Sequence, residues 1–350
     1  MERIGVAVLG ATGIVGQRFI ARLAEHPQFE IQSLTASGRS AGLPYREACT
    51  WRAGGRPYAG FGDRIVEATA PERAWAPIVF SALDAQAASE IEPLYAASGA
   101  LVFSNASAFR MHEDIPLLVP EANANHLALL EEQRRRRRWR GGIACNPNCT
   151  TAILTTALAP LHRTFGIEAA LVTSMQAVSG AGYPGVSALD ISGNVIPFIR
   201  GEEEKLETET AKILGTLFAG RVEPASFPVS ATCTRVPVRD GHSISVSVRL
   251  SGNPSVEEVV GCLKAYRSPL ADLDLPSAPE YPVTVREEPD RPQPLLDAET
   301  GDGMTVSVGR FRACGILGLK FLALGHNLER GAAGAAVLNA ELYVSAGVPA

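Results

Sequence analysis

A cysteine at position 149 opens the apolar run "CTTAILTTALAPL" directly after the polar stretch "NPN", so it stands where a loop gives way to a helix. Ile153, Leu154, Leu158 and Leu161 carry the helical spacing, and Asn148 is the natural N-cap. A thiol in the first turn of a helix meets free backbone N–H groups and the positive end of the helix dipole, both of which favour a thiolate. This placement predicts a lowered thiol pKa and nucleophilic chemistry at Cys149. The motif alone leaves open a second reading, a small inert core cysteine at a strand-to-helix junction. A nucleophilic cysteine needs an acid/base partner, and the chain offers six histidines. His242 lies in "TRVPVRDGHSISVSVRL", a turn between two strand-like segments where a polar tip can face a cleft, with Arg235 on the incoming strand. His26, His112, His126 and His162 read as helical or loop surface positions and His326 precedes the last helix, which leaves His242 as the best-placed partner.

Such a pair must be positioned by a scaffold, and the N-terminus supplies one. "RIGVAVLG" reads as a strand, "ATG" as a tight turn, and "GIVGQRFIARLAEH" as a helix with apolar Ile14, Val15, Phe19, Ile20 and Leu23. Gly10, Gly13 and Gly16 recur every third residue, a variant of the dinucleotide-binding glycine fingerprint. The glycines let the backbone turn sharply and approach a pyrophosphate, whose charge the helix N-terminus meets. The next strand, "FEIQSLTAS", ends without the acidic residue that would bind the 2′-hydroxyl of NAD. Ser37, Arg39 and Ser40 stand there instead, a cation and two hydroxyls suited to the 2′-phosphate of NADP. Further strands at "PIVFSAL", "ALVFSNAS" and "GGIACNP", separated by helical stretches, predict a Rossmann-like, doubly wound parallel sheet in an α/β fold. Asn105 and Arg110 of "SNASAFR" fall at a strand's carboxyl end, where ligands bind such sheets.

Composition narrows the alternatives. A chain of 350 residues suggests two domains. No signal-peptide pattern opens it and no uncharged apolar run reaches about 18 residues, so a cytoplasmic protein without a membrane span is expected. The six cysteines lack framework or zinc spacing, so reduced thiols and no metal site are expected. A formal net charge of -5 argues against a nucleic-acid partner, and the run Arg134 to Arg138 reads as a solvated helix end.

Beyond these local readings, "GATGIVGQ", "SGRSAG", "SNASAFRM", "PLLVPEAN", "CNPNCTT", "QAVSGAGYPG", "GNVIPFIRGEEEKLETETAKIL", "TRVPVRDGH" and "GHNLERGAAGAAVLNAEL" follow one another in a single order. In these blocks the chain resembles the aspartate-β-semialdehyde dehydrogenases of the shorter archaeal and fungal type, nearly end to end. The resemblance implies Cys149 as nucleophile, His242 as acid/base and Gln176 as the residue that orients the acyl intermediate. It implies Arg235 for the substrate α-carboxylate, Glu202 for its ammonium, and Lys205 and Arg110 for phosphate. The implied cofactor contacts extend to Thr12, Ile14, Val15, Ser81, Ser179, Gly180 and Asn327. The implied organisation is an NADP-binding domain over residues 1–148, completed by a C-terminal helix over 327–350, and an α+β catalytic and dimerisation domain over 149–326. A homodimer or homotetramer follows from the same likeness.

The implied reaction is NADPH-dependent reductive dephosphorylation of β-aspartyl phosphate through a cysteine thioester, with His242 supplying a proton. Most charges of "GEEEKLETETAKIL" read as a solvated amphipathic helix. Relatives of the same fold reduce N-acetyl-glutamyl phosphate or malonyl-CoA, and a non-catalytic nucleotide sensor is a more distant alternative. Two departures from the family pattern stand out: His326 where an aspartate is usual, and Met175 where an aromatic is common.

Overall fold

The computed structural model of the chain describes residues 3–347, so residues 348–350 of the expected C-terminal helix lie outside the described residues. The alternating pattern of the first half folds as strands β1 (Ile4–Leu9), β2 (Phe29–Ala36), β3 (Glu67–Ala68), β4 (Ile78–Ser81), β5 (Leu101–Ser104) and β6 (Gly142–Cys145). They form one sheet in the order β3-β2-β1-β4-β5-β6, and every adjacent pair is parallel. Strand order reverses between β1 and β4, so the crevice of a doubly wound sheet opens above Gly10.

The glycine turn forms as its spacing predicts. Gly10 has a positive φ of 73°, and the helix Ile14–Leu23 starts four residues after it, with Gly13 as its N-cap. A Cβ on Gly16 would lie 2.2 Å from the Gly10 carbonyl oxygen, so only glycine lets the helix pack this close to the turn. Gly16→Ala is expected to destabilise the fold by about 1–3 kcal/mol, read as a lower Tm in a thermal melt. An unchanged Tm would show that the turn can yield. Side chains brace the same turn: Tyr45 Oη donates to the Ala11 carbonyl at 2.7 Å, and Gln17 Nε2 donates to the Thr12 carbonyl at 3.1 Å.

A second sheet follows, built from β7 (Ile167–Gln176), β10 (Val229–Arg235), β11 (His242–Leu250), β12 (Val283–Arg286), β13 (Val306–Cys314) and β14 (Gly318–Gly325). Its order is β10-β7-β11-β14-β13-β12, with mixed parallel and antiparallel pairing. A short hairpin, β8 (Thr216–Phe218) with β9 (Arg221–Glu223), stands apart.

The helix Cys149–Phe165 lies between the two sheets and is buried from Thr150 to Leu161. Its apolar residues join one core with Val102 and Ile143 of the first sheet and Val246 and Phe321 of the second. At about 1.5–3 kcal/mol for each fully buried large aliphatic side chain, this core holds the helix, and therefore its first residue, firmly in place. Thr155 and Thr156 are tolerated there because their hydroxyls donate to the carbonyls of Thr151 and Ala152.

The C-terminal run departs from expectation at its start. The helix spans Ala333–Ser345, whereas Asn327 to Ala332 form a non-helical strap. The strap is pulled sideways by ion pairs: Glu329 meets Arg18 at 3.2 Å and also Arg22, and the buried Arg330 meets Glu121 at 2.6 Å. Beyond it, Ala336, Val337, Ala340 and Tyr343 pack into the core of the first sheet with Phe19, Phe80 and Phe103. Two histidines read as surface positions are buried instead. His26 is held by Glu341 at 2.8 Å across the fold, and His126 is held by Asn123 at 3.0 Å. Arg135, Arg136 and Arg138 are exposed at the end of the helix Leu129–Arg137, while Arg137 pairs with Asp114. Among the described residues no helix is long and apolar enough to cross a membrane.

Candidate active site

The second sheet's register gathers the residues expected to react. Gln176 ends β7, Arg235 ends β10 directly beside it, and His242 opens β11 opposite Gly325. The first sheet contributes the other wall. After β6 the "NPN" turn delivers Asn148, whose side-chain oxygen accepts from the Thr150 N–H at 2.9 Å, and Cys149 follows in the first helical turn. Asn146 ties that turn to Asn105 at 2.9 Å and to the carbonyl of Ala332 at 2.8 Å.

Cys149 Sγ lies 3.2 Å from His242 Nε2. The Ala177 backbone N–H donates to His242 Nδ1 at 3.0 Å, so a neutral ring carries its proton on Nε2, facing the sulfur. Burial, Arg235 and His326 together push His242 down to about 3, which keeps the ring neutral. The thiol runs against the expected direction. Burial first and then the Glu202 carboxylate push Cys149 up to about 12, while Arg110, Arg235 and the Thr150 N–H pull the other way. The helix N-terminus is present, but desolvation outweighs it. The resting pair is thus a neutral thiol beside a neutral imidazole that presents a donor.

A cavity of about 340 Å³ opens in front of Cys149, lined among others by Ile14, Val15, Arg110, Glu202, Lys205 and Asn327. A second cavity of about 430 Å³ shares Ile14, Ser179, Gly182 and Leu328 with it, so the two form one groove across both sheets. Glu202 is held from three sides, by Asn148 Nδ2 at 2.7 Å, Gln176 Nε2 at 3.2 Å and Lys205 Nζ at 3.1 Å. Arg110 donates to Glu209 at 3.0 Å and to the Asn105 carbonyl at 2.7 Å, and its buried Nε has no protein partner, the kind of donor an anion satisfies. Arg235 and His242 stand just behind the cavity wall: a Cβ on Gly180 would lie 2.9 Å from Arg235 Nη1 and 3.0 Å from His242 Cε1. Only a glycine there lets the wall lie against both.

Among the expected cofactor contacts, Gly10, Thr12, Gly13, Ile14, Val15 and Gly16 cluster at the turn and the helix that follows it, with no acidic residue in that helix's first turn. Ser179 and Gly180 face them from the second sheet's side of the groove, where Ser179 Oγ accepts from Asn327 Nδ2 at 2.8 Å. Asn327 Oδ1 accepts from the Gly241 N–H at 2.9 Å, so its carboxamide is engaged at both ends. Ser37 and Arg39 are exposed, with Ser40 beside them on the loop after β2. Ser81 is fully buried at the end of β4 and is not part of the cavity wall. His326 is fully buried behind the strap, with Nδ1 accepting from the Leu328 N–H at 3.1 Å. A glycine turn at a helix start, and a cationic loop one strand away, suit a phosphorylated dinucleotide. Among the described residues no group of three or more His, Cys, Asp and Glu side chains could hold a metal ion.

Two buried residues beside the cavity escaped the sequence reading, Glu209 and Lys212. Their signal was the spacing Glu202, Lys205, Glu209, Lys212, which puts all four on one stripe of a helix.

Residues 5–130 match the family model for the semialdehyde dehydrogenase NAD binding domain, and residues 158–330 match that for the semialdehyde dehydrogenase dimerisation domain. The aspartate-semialdehyde dehydrogenase of Archaeoglobus fulgidus is 51% identical over 342 residues, covering 98% of each chain. The crystal structure of aspartate semialdehyde dehydrogenase with NADP from Candida albicans superposes with a TM-score of 0.90 at 41% identity, covering 99% of this chain and 100% of that one. Aspartate semialdehyde dehydrogenase II of Vibrio cholerae complexed with ASA gives a TM-score of 0.78 at 28% identity, covering 98% and 99%.

Proposed function

Because the chain belongs to the aspartate-semialdehyde dehydrogenase family, we propose that it reduces β-aspartyl phosphate to aspartate semialdehyde with NADPH, through a thioester on Cys149. The observation that most directly supports this reading is the 3.2 Å approach of Cys149 Sγ to His242 Nε2, at a groove that also presents Arg110, Lys205 and Glu202.

The sulfur attacks the acyl carbon as the thiol proton passes to a phosphoryl oxygen of the substrate, which carries it away as hydrogen phosphate. A C–S bond forms, the acyl C–O bond breaks, and phosphate leaves with the electron pair toward Arg110 and Lys205. Bound NADPH supplies the hydride. His242, through its Nε2–H, stabilises the oxyanion that then stands on the sulfur-bound carbon. Collapse breaks the C–S bond, releases the aldehyde and returns the electron pair to sulfur, which takes a proton from solvent to restore the thiol, so the proton on His242 Nε2 stays in place. That replaces the proton delivery expected from the sequence with hydrogen-bond donation. Glu202 takes the substrate ammonium and Arg235 its α-carboxylate, and Gln176, which already donates to Glu202, steadies that carboxylate.

In the reverse direction, purified protein given aspartate semialdehyde, phosphate and NADP should raise the absorbance of the reduced nicotinamide band. Turnover with N-acetyl-glutamyl phosphate or malonyl-CoA in place of the aspartyl substrate would overturn the assignment.

NADP rather than NAD is the cofactor we assign, held over the glycine turn with its 2′-phosphate at Ser37, Arg39 and Ser40. Arg39→Ala is expected to weaken NADP binding by roughly tenfold, the size of a lost charge-assisted contact, while NAD binding stays unchanged. Fluorescence titration measures both, and equal losses would remove Arg39 from the phosphate site.

Copies of the chain pair as a homodimer, or as a homotetramer built from such pairs, through the second sheet. The helix Cys149–Phe165 covers one face of that sheet, and the other leaves Leu171, Thr173, Ser245 and Arg249 exposed. The six cysteines are unpaired, in keeping with a cytoplasmic enzyme.

A further inference from the structure

The helix Glu202–Ile213 carries four charged residues on one stripe, of which Glu202 and Lys205 line the cavity. Its other two charges point inward. Lys212 is 5% exposed, and its ammonium donates to the carbonyls of Arg110 at 2.7 Å, His112 at 2.7 Å and Ile115 at 2.9 Å. All three N–H bonds are used, and the three acceptors come from residues 105–119 after β5, a segment that forms neither helix nor strand. Glu209 is 2% exposed and bridges two parts of the site: one oxygen accepts from Arg110 Nη1 at 3.0 Å, the other from the Asn148 backbone N–H at 2.6 Å. The backbone of Arg110 is therefore set by Lys212, and its guanidinium by Glu209.

Burying an ammonium and a carboxylate is costly, and a loop clamp alone could be made from neutral groups. The charges become intelligible when the loop's cargo is considered. Arg110 presents a cation to the cavity from a segment without regular structure, and a displacement of about 1 Å in such a group can cost about a hundredfold in rate.

We infer that Lys212 and Glu209 are positioning residues for the phosphate subsite, fixing the Arg110 guanidinium at the distance from Cys149 that the departing or attacking phosphate requires. This rests on the function proposed above.

The test is the phosphate dependence of the reverse reaction in the full-length protein. Lys212→Met keeps the length of the side chain and removes the charge. It is expected to raise the KM for inorganic phosphate by roughly tenfold to a hundredfold, with the KM values for NADP and aspartate semialdehyde within about twofold of the parent. In an Arg110→Ala background the same change should add nothing further to the phosphate KM, because the group it positions is gone. A lower Tm or kcat with the phosphate KM unchanged, or a full additional loss in the Arg110→Ala background, would overturn the inference and reduce Lys212 to a packing role. Should Lys212→Met fail to fold, Glu209→Gln is read the same way. Absence of phosphate-dependent turnover in the parent protein would count against the proposed function itself, whereas an unchanged phosphate KM in an active variant counts against the positioning role alone.

Discussion

Cys149→Ala is expected to lower phosphate-dependent reduction of NADP by roughly 10⁴- to 10⁶-fold, to the limit of detection, while NADP still binds. No other cysteine can substitute: Cys145, the nearest in sequence, is fully buried at the end of β6 on the far side of the "NPN" turn. Initial rates at the nicotinamide band and a fluorescence titration of NADP, run on the same preparation, separate loss of the nucleophile from loss of the fold. A variant that keeps more than a few per cent of the activity would remove Cys149 from the chemistry. The charge state of the thiol can be followed in the parent protein by alkylation with iodoacetamide. With the thiol pushed up to about 12, only the minor thiolate reacts, and its share rises with pH. The alkylation rate should therefore climb about tenfold per pH unit from pH 7 to 10 without levelling. A plateau beginning below pH 8 would mean that an ion-paired thiolate is the resting form.

His242 carries the second large effect. With Nδ1 occupied by the Ala177 N–H and Nε2–H directed at the sulfur, the ring acts as a fixed donor, and removing one such donor typically costs about 10²- to 10³-fold in kcat. His242→Ala should show that loss. His242→Gln can place an amide N–H near the same point, so it should recover at least about tenfold of it. A proton shuttle would make both variants equally poor, since neither amide nor methyl titrates. The pH profile gives an independent reading. A ring pushed down to about 3 is neutral throughout the range from pH 5 to 9, so kcat/KM should show no limb near the usual histidine value of about 6.5. A limb at that value, lost in His242→Gln, would restore the acid/base role.

What could be read from the sequence was local. Gly10, Gly13 and Gly16 announce themselves because a turn between a strand and a helix has its own spacing, and Asn148 with Cys149 does so because an N-cap is a short-range device. The parallel pairing of the first sheet follows from strand and helix alternation. What failed depends on partners distant in the chain. The thiol was expected to be acidic from its helix, but Glu202 and the burial that raise its pKa are brought by another helix and by the packing of two sheets. Glu209 and Lys212 look like ordinary surface charges until the loop around Arg110 folds over them. The helix expected from Asn327 begins only at Ala333, because Glu329 and Arg330 find counter-charges on Arg18 and Glu121 that no local pattern reveals. His26 was misplaced for the same reason, its carboxylate partner lying on the C-terminal helix.

The strap and the helix Ala333–Ser345 also bear on how the protein is made. Synthesis proceeds from the N-terminus, so β1 to β6 leave the ribosome long before the residues that complete their core. Until Ala336, Val337, Ala340 and Tyr343 emerge, Phe19, Phe80 and Phe103 lack their final cover. Gly331, against which Cys149 packs so closely that a Cβ there would come within 2.5 Å of the cysteine's own, emerges just before them. A half-translated chain thus carries the first sheet with its apolar face open and its cysteine without the Gly331 backbone that later closes over it.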